Sequence, residues 1–268
     1  MAQLETRFSG NVPENYDRGL GPYIFDYYAR QMADRCAALD PKSVLETAAG
    51  TGIVTRYLRE SLSSGCALTA TDLNQPMLDY AAVKLSGIGA IEFGTADACD
   101  LPFEDNMFDA MVCQFGVMFF PDRQAGYREA LRVLKPGGTY LFSVWDSWKA
   151  NPFAEIVHDV GAEFVRDDPP GFYKVPFSYS DVEAIEADLR SAGFKEWNVE
   201  FLPHQRVLDD IDLFAHGIVH GNPLFNELKE RGVDPEAVGK RIAQSLDERL
   251  GESMPLQAIF ITARNPSA

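Results

Sequence analysis

The sequence predicts an α/β fold, a doubly wound, mostly parallel seven-stranded sheet with an antiparallel C-terminal edge and a helical lid. Three observations predict it. Short β-rich runs alternate with helical stretches from residue 43 to residue 145, and strands separated by helices build parallel sheets. The stretch "VLETAAGTGIVT", Val44 to Thr55, puts a glycine turn between the first strand and an amphipathic helix, the geometry that wraps backbone around a ligand. After Trp145 the alternation loosens, and "PLQAIFITAR" near the end supplies a last β-rich run for the sheet edge.

In chain order, "NYDRGLGPYIFDYYARQMADRCAAL" carries apolar residues at roughly helical spacing, with Pro22 near a helix start. A strand at 43–47 leads through the glycine turn into a helix from Ile53 to Leu62. The strand at 67–71 ends in Asp72, and "NQPMLDYAAVKL" follows as a helix capped by Asn74 with Pro76 in its first turn. Further strands fall at 90–95, 108–113 and 139–145; "DRQAGYREALRVL" is the helix between the last two, closed by "KPGG". Beyond them lie helical "NPFAEIVHDVGAEFV", the Pro/Gly-rich linker "DDPPGFYKVPFSYS" and a helix at 181–191 ending in Gly193. A strand at 196–201 and two helical stretches within 209–249 complete the order. A chain of 268 residues suits one domain with an elaborated cap. Its expected parts are a lid segment at 1–40, a ligand-binding core at 41–146, and cap helices with edge strands at 147–268.

A hydrophobic share of 46% and a charged share of 24% are ordinary for a globular chain. The net charge of −16, with no Lys/Arg cluster, disfavours nucleic acids and anionic membrane surfaces as partners. Solubility alone accounts for such acidity. Cys36, Cys66, Cys99 and Cys113 are scattered without a CxxC, so neither a disulfide framework nor a zinc site is expected. "MAQLETRFSG" has no apolar h-region and no long apolar window follows, so the sequence predicts no signal peptide, no membrane span and a cytoplasmic location.

Open α/β sheets bind ligands at the carboxyl ends of their strands. A dinucleotide turn wants G-x-G-x-x-G; here Gly50 and Gly52 supply two glycines and Thr55 stands in the third place. Glu46 lies inside the turn, where a pyrophosphate would sit. Its carboxylate repels phosphate and suits an ammonium group. Asp72, at the end of the second strand, holds the position of a ribose-diol acceptor, and Asp97 follows the third strand. Three acids at successive strand ends point to a cationic, phosphate-free nucleoside. The structural alternatives are an ion pair between Glu46 and a lid arginine, a helix cap for Asp72, and a turn for Asp97.

The segment from about 43 to 145 resembles the class I S-adenosylmethionine-dependent methyltransferases, in particular the subgroup similar to ubiquinone- and menaquinone-biosynthesis C-methyltransferases. "VLETAAGTG", "TATDLNQPMLDYA", "GTADACDLPFEDNMFDAMVCQFGVMFF" and "EALRVLKPGGTYLFSVW" carry the resemblance, in the family's order and spacing. It implies a Rossmann-like methyltransferase sheet, S-adenosyl-L-methionine as cofactor and S-adenosyl-L-homocysteine as product. It further implies that Glu46 and the turn Thr47, Ala48, Ala49, Gly50 to Gly52 hold the aminoacid end of the cofactor. Asp72 would take the ribose diol beside Leu73 and Met77, while Asp97 and the Ala98 amide would meet the adenine. Gln114 and Phe115 would face the sulfonium, and Tyr16 would close over the carboxylate. Ala48 stands where the family usually has glycine; with φ negative it fits freely, and with φ positive it carries about 1 kcal/mol of strain or more.

Methyl transfer from a sulfonium is an in-line displacement, and proximity with desolvation contributes roughly 7–11 kcal/mol without a catalytic side chain. If a base is used, the candidates are His216 and His220, an i, i+4 pair, against the plainer reading of ordinary histidines. The sequence shows no third ligand at usual spacing, so no metal is expected. Phe115, Phe119, Phe120, Trp145, Trp148, Phe172 and Tyr173 either pack the cap or form an apolar pocket, with Phe119 and Trp145 as substrate contacts. The expected function is methyl transfer to a small-molecule acceptor by a monomer or homodimer. The alternatives are a non-catalytic or variant S-adenosylmethionine-binding protein and an NAD-dependent oxidoreductase, against which Glu46 and Thr55 speak.

Overall fold

Unbroken runs of small and β-branched residues, such as "ALTATD" and "FDAMVCQ", suit strands covered on both faces. In the computed structural model, which describes residues 10–266, they form the middle of one sheet. Its strands are β1 (Ser43–Glu46), β2 (Ala67–Asp72), β3 (Glu92–Thr95), β4 (Phe108–Gln114), β5 (Leu134–Trp145), β6 (Glu196–Val207) and β7 (Ser253–Arg264). Their order is β3-β2-β1-β4-β5-β7-β6. The first five are parallel, and β7 runs antiparallel between β5 and β6. The order reverses between β1 and β4, so the crevice for a ligand opens above Glu46 and Gln114.

The helices are α1 (Val12–Gly19), α2 (Asp26–Ala37), α3 (Ile53–Ser61), α4 (Gln75–Lys84), α5 (Arg123–Val133), α6 (Pro152–Phe164), α7 (Val182–Ala192), α8 (Ile211–His220), α9 (Leu224–Glu230) and α10 (Pro235–Leu250). Side-chain caps start many of them. Asn74, Asp122, Asp181, Asp210 and Asp234 each accept a hydrogen bond from a backbone N–H of the following turn. At the other end of α7, Gly193 takes φ 111, the left-handed cap expected of it.

Three boundaries differ from expectation. The N-terminal helix is broken at "GLGP": a π-helical turn, Gly21–Phe25, carries Pro22 between α1 and α2. "KPGG" is not a helix cap, because α5 stops at Val133 and the chain is extended from Leu134. There Phe108 pairs with Leu134 but Ala110 pairs with Thr139, so the extra residues bulge out of β5 around Gly137 at φ 80. Finally, β6 runs on to Val207 because β7 pairs with it along its whole length. The first nine residues of the expected lid segment lie outside the described ones.

One helix contact matters for the site. A Cβ on Gly19 would lie 2.5 Å from Gly217 Cα, and one on Gly217 would lie 2.6 Å from Gly19 Cα. The α1 and α8 backbones therefore touch directly. Gly217→Ala is expected to force them apart, destabilising the protein by about 1–3 kcal/mol. Each kcal/mol lowers Tm by roughly 2–4 °C in a chain of this size, which differential scanning calorimetry would read.

Candidate active site

The carboxyl ends of β1 to β5 open into a cavity of about 450 Å³, within the roughly 300–1,000 Å³ of small-molecule sites. On the β1–β2–β3 side it is lined by Ala48, Gly50, Asp72, Leu73, Met77, Asp97 and Ala98. On the β5 side the lining is aromatic: Phe119, Trp145, Phe153, Phe172, Tyr173 and Phe177. Gln114 and Phe115, at the end of β4, stand between the two, and Tyr16 and Phe25 cover them from the N-terminal helices. The predicted residues among these sit together, and Phe25, Phe153 and Phe177 join them without having been expected.

Glu46 lies behind this cavity, in a recess shared with Tyr16, Ala49, Gly50 and Thr51. It is 2% exposed, and its Oε2 has no hydrogen-bond partner. Burial pushes its carboxyl up to about 8; the nearby Thr55 pulls it back, while the charge of Asp72 raises it further. The alternative ion pair with a lid arginine does not form among the described residues. A buried carboxyl with a free oxygen is the partner a cation lacks.

The turn that follows answers the question posed by Ala48. Its φ is 54, so the alanine sits in the left-handed region with about 1 kcal/mol of strain or more. Its methyl packs where a side chain on Gly116 would go, since a Cβ there would be 2.5 Å away. Gly50 has φ 56 and opens onto the cavity. Two turn residues line neither the cavity nor the recess. Gly52, at φ 74, is a packing glycine: a Cβ there would meet Leu85 at 2.8 Å and Ala81 at 3.0 Å. Thr47 is buried beneath the turn, its amide bonded to Val112 O at 2.9 Å.

Asp72 both caps and faces the cavity. Its carboxylate accepts from Gly50 N at 2.8 Å and from Asn74 N at 2.7 Å, fixing the turn and the start of α4 together. Each oxygen keeps a second lone pair. Burial raises its pKa against the pull of those amides. Asp97 likewise makes the expected turn, accepting from Cys99 N at 2.8 Å, and still lines the cavity. Phe115 takes φ 52 and stacks on Trp145 with centroids 3.9 Å apart and planes 6° from parallel. A strained, non-glycine backbone at a ligand wall marks a position that packing has over-determined.

Several working residues were not legible in the sequence. Asp17 on α1 accepts from Thr51 Oγ1 at 2.8 Å, Lys84 Nζ at 2.5 Å and Tyr80 OH at 3.4 Å, latching the cover to both the turn and α4. Its only signal was an acid next to Tyr16. Glu227 on α9 accepts from Gly171 N at 2.9 Å and Phe172 N at 3.1 Å, which sets the loop holding Phe172 and Tyr173. Asn222 donates to Tyr173 OH at 3.2 Å. Trp148, by contrast, turns away from the cavity and donates to Tyr173 O at 3.3 Å.

The histidines require a correction. His216 and His220 do not line the cavity; their rings stack 4.2 Å apart on α8, with His216 exposed. A general base must come within hydrogen-bond reach of its proton, and the fold brings neither ring to the cavity. His220 Nε2 lies 3.0 Å from Glu236 Oε1 of α10. Folding thus supplies the third donor that sequence spacing did not show.

A methyltransferase-domain family model matches residues 45–142. The chain is 42% identical over 165 residues to the demethylmenaquinone methyltransferase of Clavibacter sepedonicus, a match covering 56% of this chain and 64% of that protein, just under two thirds of its length. It is 30% identical over 208 residues to the demethylmenaquinone methyltransferase of Staphylococcus epidermidis, covering 72% of this chain and 86% of that one. Among solved structures, the YcgJ protein of Bacillus subtilis shares the fold with a TM-score of 0.60 at 18% identity, over 90% of this chain and 100% of that one. With the doubly wound sheet and the acidic crevice at its switch point, these similarities lead to one conclusion: the chain belongs to the class I S-adenosylmethionine-dependent methyltransferases, in the subgroup of the ubiquinone/menaquinone C-methyltransferases.

Proposed function

We propose that this chain transfers the methyl group of S-adenosylmethionine to an apolar, ring-bearing small molecule. One observation carries the reading: an acidic wall and an aromatic wall share a single cavity and meet at Gln114 and Phe115. The residues fit the cofactor. Glu46, buried with an unpartnered oxygen, would hold the ammonium group. Asp72 would take the ribose diol on its spare lone pairs, Leu73 and Met77 would flank it, and Asp97 and Ala98 would face the adenine. Tyr16, latched in place by its neighbour Asp17, would cover the aminoacid end. When bound, S-adenosylmethionine supplies an already activated methyl on its sulfonium.

The chain's part is then to orient and to exclude water. Phe115 stacked on Trp145 makes a rigid wall beside Gln114, and Phe119, Phe172 and Phe177 close the acceptor side. Burial holds the Tyr173 phenol well above its ordinary pKa, so it stays a neutral donor for an oxygen on the acceptor. The relatives named for demethylmenaquinone support an oxygen-bearing ring with an apolar tail as that acceptor. In this reading residues 1–40 act as lid, 41–146 as cofactor core and 147–268 as acceptor-side cap.

S-adenosylmethionine or S-adenosylhomocysteine at a hundred times its Kd is expected to stabilise the fold by about 2.7 kcal/mol, a Tm rise of roughly 5–10 °C, with NAD giving none. Radiolabelled methyl is expected in a short-tailed demethylnaphthoquinol and not in a simple primary amine. A Tm rise without transfer to any acceptor would favour the non-catalytic alternative, and a rise with NAD alone would overturn the proposal.

A further inference from the structure

The His216–His220–Glu236 cluster lies outside the cavity. We propose that these three side chains form a binding site for a borderline divalent cation of the zinc and nickel class, bridging α8 to α10. Residues four apart share one face of a helix, and the two imidazoles stack at 19° with centroids 4.2 Å apart. Glu236 comes from the first turn of α10, where its amide is anchored on Asp234 at 3.2 Å. Its carboxylate already points at an imidazole nitrogen, 3.0 Å from His220 Nε2.

One donor atom from each residue falls within 4.8 Å of the others. In a tetrahedral site with bonds of about 2.0–2.1 Å the donor atoms sit roughly 3.4 Å apart. Closing the cluster therefore needs a shift of about an ångström, which the exposed His216 side chain can make by rotation. A cation takes the place of the proton between His220 and Glu236, and His220 carries its proton on the other ring nitrogen. Two imidazoles and one carboxylate select zinc, cobalt, nickel or copper over magnesium and calcium, which prefer all-oxygen shells. Asp212, one turn before His216 on the same face, adds favourable negative charge. Three protein ligands leave the remaining positions to water, as in open sites.

The test uses the full, untagged chain titrated calorimetrically with Zn²⁺, Ni²⁺ and, as a control, Mg²⁺. One equivalent of Zn²⁺ and of Ni²⁺ is expected to bind, with a Tm rise reversed by chelator and no response to Mg²⁺. His216→Ala and Glu236→Gln are each expected to weaken binding at least tenfold and to remove the Tm rise. Both variants should keep wild-type affinity for S-adenosylhomocysteine, which shows that they fold and separates this site from the cofactor reading. Absence of saturable binding, or equal binding by the variants, overturns the proposal; the second result would move the ion to the free cysteines.

Discussion

Glu46→Gln is expected to make the ligand-free protein more stable and the ligand-bound protein weaker. The folded chain holds the Glu46 carboxyl near 8, against 4.5 for the free side chain. Between those values the folded state keeps a proton that the unfolded state has released, so stability falls as pH rises from 4.5 to 8. Glutamine removes that loss. The gain is on the order of 3 kcal/mol at pH 8 and vanishes below the unfolded pKa, so Tm should rise roughly 5–10 °C at pH 8 and not at all at pH 4. The cofactor's ammonium would draw the carboxylate into its charged form, so the wild type should release a proton on binding at pH 7. Calorimetry in buffers of different ionisation enthalpy should show that proton for the wild type and none for Glu46→Gln. Losing the charge-assisted hydrogen bond should weaken affinity by about 1.5–3 kcal/mol, roughly 10- to 150-fold. A variant that binds as tightly as the wild type would remove Glu46 from the site.

Asp72→Ala is expected to weaken S-adenosylhomocysteine binding by about 3 kcal/mol, near 150-fold, because two roles fail together. The Gly50 and Asn74 amides lose their acceptor, and the turn loses the link that joins it to α4. The proposed diol acceptor also disappears. Asp72→Asn separates the two losses: one acceptor oxygen survives, but an NH₂ group now confronts a backbone N–H. An analogue lacking the ribose hydroxyls should bind weakly to the wild type and lose little more in the variant, the signature of a coupled pair. Additive losses would mean that Asp72 serves the turn and not the ligand.

The legible and illegible parts of the fold divide along one physical line. The strands from β1 to β4, the Asn74 cap and the acids at Glu46, Asp72 and Asp97 lie next to the turn or strand end that uses them. Their neighbours in sequence are their neighbours in space. Bonds between distant segments leave no local trace. The Asp17–Lys84 latch joins residues 67 apart, and Glu236 reaches His220 from another helix. "KPGG" misled for a different reason: glycine after a helix reads as a cap, and the pairing of β4 with β5 converts it into a bulge. The i, i+4 spacing of the histidines suits one helix, where they lie, but periodicity does not say which way a helix faces once its neighbours dock.

The contact of Gly19 with Gly217 leaves no side chain between α1 and α8 to slide or rotate out of the way. If a nucleoside sits below Tyr16 as proposed, opening that side of the cavity would move both helices as a unit and break the Asp17 latch. Such collective excursions belong to microseconds or milliseconds. Turnover would then be paced by the escape of spent cofactor, and loosening that crossing would trade retention for speed.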